Sequence, residues 1–442
     1  MSRAKTFIKG AFVLTVTGIL TRIMGFFYRI FLSRTFHAEG VGLYQLIFPV
    51  YALCFSLTCA GIETALSRMT ASYAALHRRT EAIRLLKAAL SLTVTLAFLA
   101  MVSLQRFSGE IALRLLKEPR AGALLNAMAF AFPFAAVHSC ICGFHLGLKA
   151  TKVPAVSQFI EQIVRITSVW FLYQASLRRA APAGVVIAVF GLVFGELCSA
   201  SYSILTLRNE LALFTGKCME HLSAALELFR FSVPLTSSRV LLNLLQSVEA
   251  ISIPARLQIY GLTRAQSLSV YGILTGMALP CILFPSAITN SVSTMMLPAV
   301  AEIQASDNRR ELRKLIGRVV SACLLLGFSC QLFFFLSADF IGESVFHSPD
   351  AGRFILTLSF ICPFLYTNTS LISILNGLGK TTATFLISTC GLVVRILSIY
   401  LLIPAYGIPG YLWGLLASQL LVSALGASRI CRELLSRQAL RS

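Results

Sequence analysis

Five arginines, Arg22, Arg29, Arg165, Arg239 and Arg395, stand inside stretches that otherwise read as membrane-spanning helix. A cation at the centre of a bilayer costs at least about 2.5–3.5 kcal/mol on insertion scales, so such residues are expected to face a cavity and handle charge. Guanidinium groups pair bidentately with oxyanions, which suits phosphate, diphosphate or carboxylate ligands. Gly18, Arg22, Gly25 and Arg29 fall on one continuous helical face, and the glycines leave room beside the cations. Arg239, Asn243 and Gln246 form a second polar stripe, with Glu249 slightly off its line. Glu161 and Arg165 are four residues apart in the favourable acid-first order and partly neutralise each other. Arg395 has no acid on its own helix, so Glu196 is its candidate partner, or else a titrating group.

The elements that must hold these residues are spanning helices. The chain has 442 residues, 57% hydrophobic and 13% charged, whereas soluble domains carry roughly 25% charged residues. Hydrophobic runs of the ~20 residues that a crossing needs occur near 10–33, 42–66, 88–105, 123–147, 154–175, 183–206, 229–252, 267–297, 315–337, 353–375, 382–403 and 410–430. The first run is too long for a signal-peptide core and is expected to remain as helix 1. The net charge of +20 fits cytoplasmic Lys and Arg rather than nucleic-acid binding, because no basic patch with interleaved aromatics stands outside the apolar runs.

Arg3, Lys5 and Lys9, the Arg78–Lys87 connection, the Arg309–Lys314 connection and Arg429, Arg432, Arg437 and Arg441 share one side if there are twelve spans. That side is the cytoplasm, and both termini lie there. The connection 106–120 on the other side also carries basic residues.

Several chemistries find no support. Most of the twelve cysteines lie within apolar runs, as small hydrophobic residues. His138, Cys142 and His145 share a helical face, yet a metal there needs a further ligand from another helix, and no metal or other cofactor is expected. There is no P-loop, zinc-protease or Gly-x-Ser-x-Gly motif. The stretch Gly377 to Thr382 lacks the leading glycine spacing of a P-loop and reads as a tight turn. The expectation is a transporter, not an enzyme.

An internal repeat organises the spans. At an offset of 230, Phe130–Phe134 lies over Phe360–Phe364, Gly147 over Gly377 and Arg165 over Arg395. At an offset of 217, Arg22 lies over Arg239. Repeats of six helices enter the membrane from the same side. The expected fold is therefore an all-α integral membrane protein of about twelve transmembrane helices, in two six-helix lobes related by a parallel repeat. The lobes are 1–208 and 209–442, around a central cavity.

The segments from Gly18 through Arg22 and Gly25 to Arg29, from Glu39 to Gln45, from Ala60 to Arg68 and from Gln158 to Arg165 resemble polysaccharide transporters of the stage V sporulation protein B type. That family lies in the multidrug/oligosaccharidyl-lipid/polysaccharide (MOP) exporter superfamily, beside lipid II flippases and MATE-like multidrug extruders. The resemblance implies alternating access that moves an undecaprenyl-diphosphate-linked saccharide to the outer leaflet of a bacterial cytoplasmic membrane. It also implies roles in peptidoglycan or other cell-wall polysaccharide assembly, sporulation among them, with cell-envelope synthesis enzymes as partners. Arg22 falls where lipid II flippases carry a helix-1 arginine for the diphosphate. Tyr28 and Arg29 fall where those flippases have an arginine and an aspartate. The expected diphosphate site comprises Arg22, Arg29, Arg68, Arg165, Arg239, Arg395, Asn243 and Gln246, with Glu161, Glu196 and Glu249 as charge partners or coupling acids. The alternative within the superfamily is a cation-coupled small-molecule exporter.

Overall fold

The structure, a computed structural model, describes residues 3–179, 184–212, 218–305 and 309–439. Residues 213–217, in the stretch expected to divide the lobes, lie outside them, as do Arg441 and the side chains of Arg3, Lys5, Lys9 and Arg437. Every regular element among the described residues is helical. Hydrocarbon offers no partner to backbone groups, and a helix satisfies them within one segment. Among the described residues eight helices are long and apolar enough to cross a membrane, or up to ten if each of two bent pairs is one span. The first such stretch, Val16–Ala74, has 59 residues, far beyond the ~20 of one crossing. It breaks at His37, where φ is 56° and ψ 176° inside α1 (Arg3–Phe55).

The chain makes two compact units, and α1 contributes to both. One comprises Met1–Tyr28 and Leu43–Ile251, the other Arg29–Gly42 and Ser252–Ser442. The first unit contains α2 (Gly61–Ala75), α3 (Arg79–Glu110), α4 (Ala121–Ala129), α5 (Ala131–Gly147), α6 (Lys152–Arg178), α7 (Val186–Ala212) and most of α8 (Cys218–Ile259). The second contains α9 (Arg264–Gly272), α10 (Leu279–Leu283), α11 (Ser286–Ala305), α12 (Arg309–Phe340), α13 (Pro349–Ser359), α14 (Cys362–Gly377), α15 (Thr381–Leu401), α16 (Ile403–Tyr406) and α17 (Ile408–Ala439). Leu66, Leu86, Ile141 and Phe144 centre a core in the first unit; Val300, Ile374 and Leu375 centre one in the second.

The repeat runs further than the matched residues alone. α3 and α12 begin and end 230 positions apart, as do the π turns Ile111–Leu115 and Ile341–Val345 that follow them. The left-handed residues Lys117 and His347 share that offset, and so do Lys149 and Gly379. The bends between α4 and α5 (45°) and between α13 and α14 (56°) correspond too. Each bend precedes a proline, Pro133 or Pro363, whose ring removes a backbone donor from the first turn. Two further π turns, Ser56–Ala60 and Ile273–Ala278, start 217 positions apart, the offset that lays Arg22 on Arg239.

α7 and α17 correspond at a third offset, 223. Gly191 of α7 packs on Ser168 and Val169, and Gly414 of α17 packs on Ser398, the counterpart of Ser168. The P-loop-like stretch ends α14: the Lys380 N–H donates to Leu375 O at 2.9 Å, Gly379 has φ 75°, and Lys380 Nζ pairs with Glu433 at 3.2 Å.

Gly42 and Gly272 mark the tightest helix contact of the second unit. A Cβ on Gly272 would overlap Ala38 O and Gly42 N, and one on Gly42 would overlap Leu268 O. Gly18 has nothing within 4 Å of where its Cβ would be. Gly272→Ala is therefore expected to lower the thermal unfolding midpoint in detergent by several degrees, in keeping with an overpacking cost of about 1–3 kcal/mol. Gly18→Ala is expected to leave it unchanged or slightly raised. Equal melting of the two variants, followed by intrinsic fluorescence, would contradict this packing.

Candidate functional site

The arginines separate by what their guanidinium groups meet. Arg22 is exposed on the first apolar stretch and makes no hydrogen bond or ion pair with any described residue. One turn on, Gly25 faces the Gln162 side chain, with 3.4 Å between Nε2 and the point where a Cβ would stand. Arg68, on α2, is likewise exposed and unpaired among the described residues. Arg239 donates from Nη1 to Ala60 O at 3.3 Å, on the π turn Ser56–Ala60. Arg29, in the second unit, donates from Nη1 to Thr275 O at 3.2 Å, on the π turn Ile273–Ala278. Arg34, outside the expected site, donates to Val345 O and Ser344 O, both at 3.0 Å, on a third π turn.

A π turn's i→i+5 pattern leaves a carbonyl without its usual partner. Thr275 O is such a carbonyl, since the Leu279 N–H goes to Leu274 O and the next residue is Pro280; Ala60 O also accepts from Thr64 Oγ1 at 3.0 Å. On α8, Asn243 Nδ2 donates to Ala52 O at 3.4 Å, and Ser247 Oγ lies 2.7 Å from Asn243 O of its own helix and 3.1 Å from Pro49 O. Gln246 is exposed and Glu249 buried. Arg395 is half-buried on α15.

Arg165 is different, being ion-paired with Glu161 one turn earlier on α6 while its Nε has no hydrogen-bond partner. Beside the pair lies a polar hub that sequence reading did not assemble. His138 Nδ1 faces Glu196 Oε2 at 3.3 Å and Ser199 Oγ at 3.0 Å, and Nε2 faces Ser157 Oγ at 3.1 Å. Tyr51 donates its hydroxyl to Glu196 Oε1 at 3.3 Å, its ring stacked on Phe132. Ser157 Oγ also lies 3.0 Å from Pro154 O, and Ser199 Oγ 3.2 Å from Glu196 O. When both hydroxyls donate to those carbonyls, both ring nitrogens of His138 face acceptors, and an imidazolium beside the Glu196 carboxylate satisfies every atom. Glu196, expected as a partner for Arg395 or a titrating group, is thus engaged by His138 and Tyr51.

One donor atom each from His138, Glu161 and Glu196 lie within 4.8 Å of one another, a spacing a metal ion could use. The Arg165 guanidinium on Glu161 suits instead a compact set of two ion pairs, since it occupies the carboxylate and repels a cation. Of the other residues weighed for a metal, Cys142 Sγ meets Ser157 at 3.3 Å and His145 Nδ1 meets Ile141 O of its own helix at 2.9 Å.

The second unit repeats this hub without charge. Asn368, the counterpart of His138, donates from Nδ2 to Gln419 Oε1 at 2.8 Å, and Gln419 is the counterpart of Glu196. Ser423 donates to Asn368 Oδ1 at 2.7 Å. Glu161 corresponds to Gly391, while Arg165 corresponds to Arg395. The pair His138 and Asn368, 230 positions apart, was the signal available in the sequence for the hub.

Comparison with known proteins agrees with this architecture. Residues 7–304 match the family described as polysaccharide biosynthesis protein. Over 440 residues the chain is 28% identical to stage V sporulation protein B of Bacillus subtilis (strain 168), covering 97% of this chain and 84% of that one. Over 416 residues it is 23% identical to lipid II flippase MurJ of the same organism, covering 88% and 76%. Among solved structures, an inward-facing multidrug resistance MATE family transporter of the MOP superfamily is similar with a TM-score of 0.73 over 100% of both chains, at 13% identity. The fold is therefore MATE-like, and the protein is a multi-pass membrane transporter rather than an enzyme. On the match over residues 7–304, the chain belongs to the polysaccharide biosynthesis protein family.

Proposed function

We propose that this transporter flips an undecaprenyl-diphosphate-linked saccharide, a lipid II-like or other cell-envelope precursor, from the inner to the outer leaflet. The observation that carries the reading is Arg22: a guanidinium on an apolar span, exposed and unpaired among the described residues. Such a charge needs a counter-ion within the membrane, and a diphosphate meets it with paired hydrogen bonds. Arg68 and the residual donors of Arg239 and Arg165 stand in the same unit, and Arg29 and Arg395 in the other. Asn243 and Gln246 complete the polar lining. The identity to a lipid II flippase supports the substrate class.

The proposal includes a bacterial cytoplasmic membrane, twelve crossings and both termini in the cytoplasm. That count takes the stretch broken at His37 as two crossings and α6, with its buried charges, as one. Lobes 1–208 and 209–442 alternate access, and cell-envelope synthesis enzymes supply the substrate. The second reading, a cation-coupled small-molecule exporter, draws on the acidic pair Glu161 and Glu196 beside His138. It predicts broad drug resistance on overexpression.

Reconstitution into liposomes with lipid II and with other prenyl-diphosphate saccharides, measuring leaflet transfer of each, tests the proposal. Transfer of none of them, with a raised tolerance to a drug panel, would favour the exporter. Arg22→Ala is expected to cut transfer about tenfold or more, the loss of a charged hydrogen bond, with membrane insertion intact. Arg22→Lys retains part of it, because an ammonium keeps the charge but not the fork. Arg239→Ala is expected to abolish complementation as well, and full complementation by both alanine variants would sink the reading.

A further inference from the structure

The unit that holds Arg22 carries a cluster of acids, an imidazole and an arginine whose counterpart in the other unit keeps the arginine alone. We propose that Glu161 is a proton-operated clasp on Arg165: when its carboxylate takes up a proton from solvent, the guanidinium is released and binds the ligand's diphosphate. Proton and anion then bind together. The proposal rests on the diphosphate reading above and adds what regulates one residue of that site.

Three observations carry it. First, Arg165 is only partly satisfied: it is paired with Glu161, yet its buried Nε has no partner. A guanidinium has five N–H donors in a fixed fork, so a two-pronged anion can use what Glu161 gives up.

Second, the charges balance as they stand. Arg165 and an imidazolium at His138 offset Glu161 and Glu196, whose donor atoms share a 4.8 Å neighbourhood with His138. One proton added to Glu161 leaves an excess of one positive charge, which an arriving anion neutralises. The groups that face the clasp are His138 from α5, Glu196 from α7 and Tyr51 from α1, with Tyr28 and Tyr44 of α1 near Arg165.

Third, the molecule contains its own control. The second unit builds the corresponding helix contact with Asn368, Gln419 and Gly391 in place of His138, Glu196 and Glu161, and it keeps the arginine, Arg395. Packing of this kind therefore needs neither carboxylate nor imidazole. A fixed structural ion pair leaves that asymmetry without a reason, whereas a clasp requires an acid beside the arginine it releases.

Because coupling is reciprocal, an anion that binds better when Glu161 is protonated must also draw a proton onto it. The test uses the full chain in detergent and a short-chain prenyl-diphosphate sugar as probe. Each of its phosphates carries one ester and the shared anhydride link, and so lacks the second ionisation near pH 6 of a phosphate monoester; any pH dependence belongs to the protein. Wild-type affinity is expected to rise about fivefold or more between about pH 8 and about pH 5.5, a window above the ordinary carboxylate range. Glu161→Gln is expected to bind at the acid-side affinity at both values. Arg165→Gln is expected to bind at the weaker alkaline-side affinity throughout. Glu161→Gly, which reproduces the counterpart position, serves if the glutamine variant elutes as aggregate on gel filtration. Binding with no pH dependence in the wild type, or a dependence retained in Glu161→Gln, overturns the clasp and leaves the diphosphate reading intact. No binding of the probe at any pH overturns both.

Discussion

Backbone carbonyls released inside an apolar surrounding must find donors, and that requirement decides which arginines remain for a ligand. Among the described residues four π turns interrupt the helices, and each shifts the hydrogen-bond ladder by one residue. Water satisfies a stray carbonyl in a soluble protein, but hydrocarbon does not, and each unsatisfied group costs several kcal/mol. Arg239, Arg29 and Arg34 each donate to a carbonyl of one such turn. The carbonyl bond itself leaves the guanidinium's positive charge in place, because a carbonyl accepts without neutralising. It loses only some of its directions. Arg165 is the reverse case, with donors to spare but its charge cancelled by Glu161. Arg22 retains both charge and donors.

Much of this was legible in the sequence. The offset of 230 was visible through Pro133 and Pro363 and through Arg165 and Arg395, because α3 to α6 and α12 to α15 align without gaps. The apolar runs located the spans, and the break expected between 33 and 42 falls at His37. The hub was legible only at His138 and Asn368, not at its acid. Glu196 and Gln419 are 223 positions apart, since α6 runs on to Arg178 whereas α15 ends at Leu401, the counterpart of Phe171. A gapless comparison at 230 therefore places Glu196 against Gly426 and hides the match. The π turns were invisible for another reason. They keep helical dihedrals at their flanks and carry no distinctive residue, so apolar periodicity passes through them.

Helix packing explains why the acid of the clasp stands where it does. Gly195 of α7 lies against Glu161 of α6, and the missing side chain brings the point where a Cβ would stand to 2.9 Å from Glu161 O. In the second unit the glycine has changed sides: Gly391 of α15 lies against Ser418 of α17, which donates from Oγ to Gly391 O at 2.7 Å. Close approach of two helices needs one small residue at the contact, not two. Whichever helix does not supply the glycine is then free to carry a polar side chain into the contact. In one unit that freedom is used for a hydroxyl that bonds a backbone carbonyl and ends there. In the other it places a carboxylate one turn from Arg165 and one residue across from Glu196, whose own side chain turns to His138. The same backbone geometry thus supports a closed contact in one unit and a charged one in the other. The difference lies in the residue opposite the glycine, which the fold leaves open and the chemistry fills.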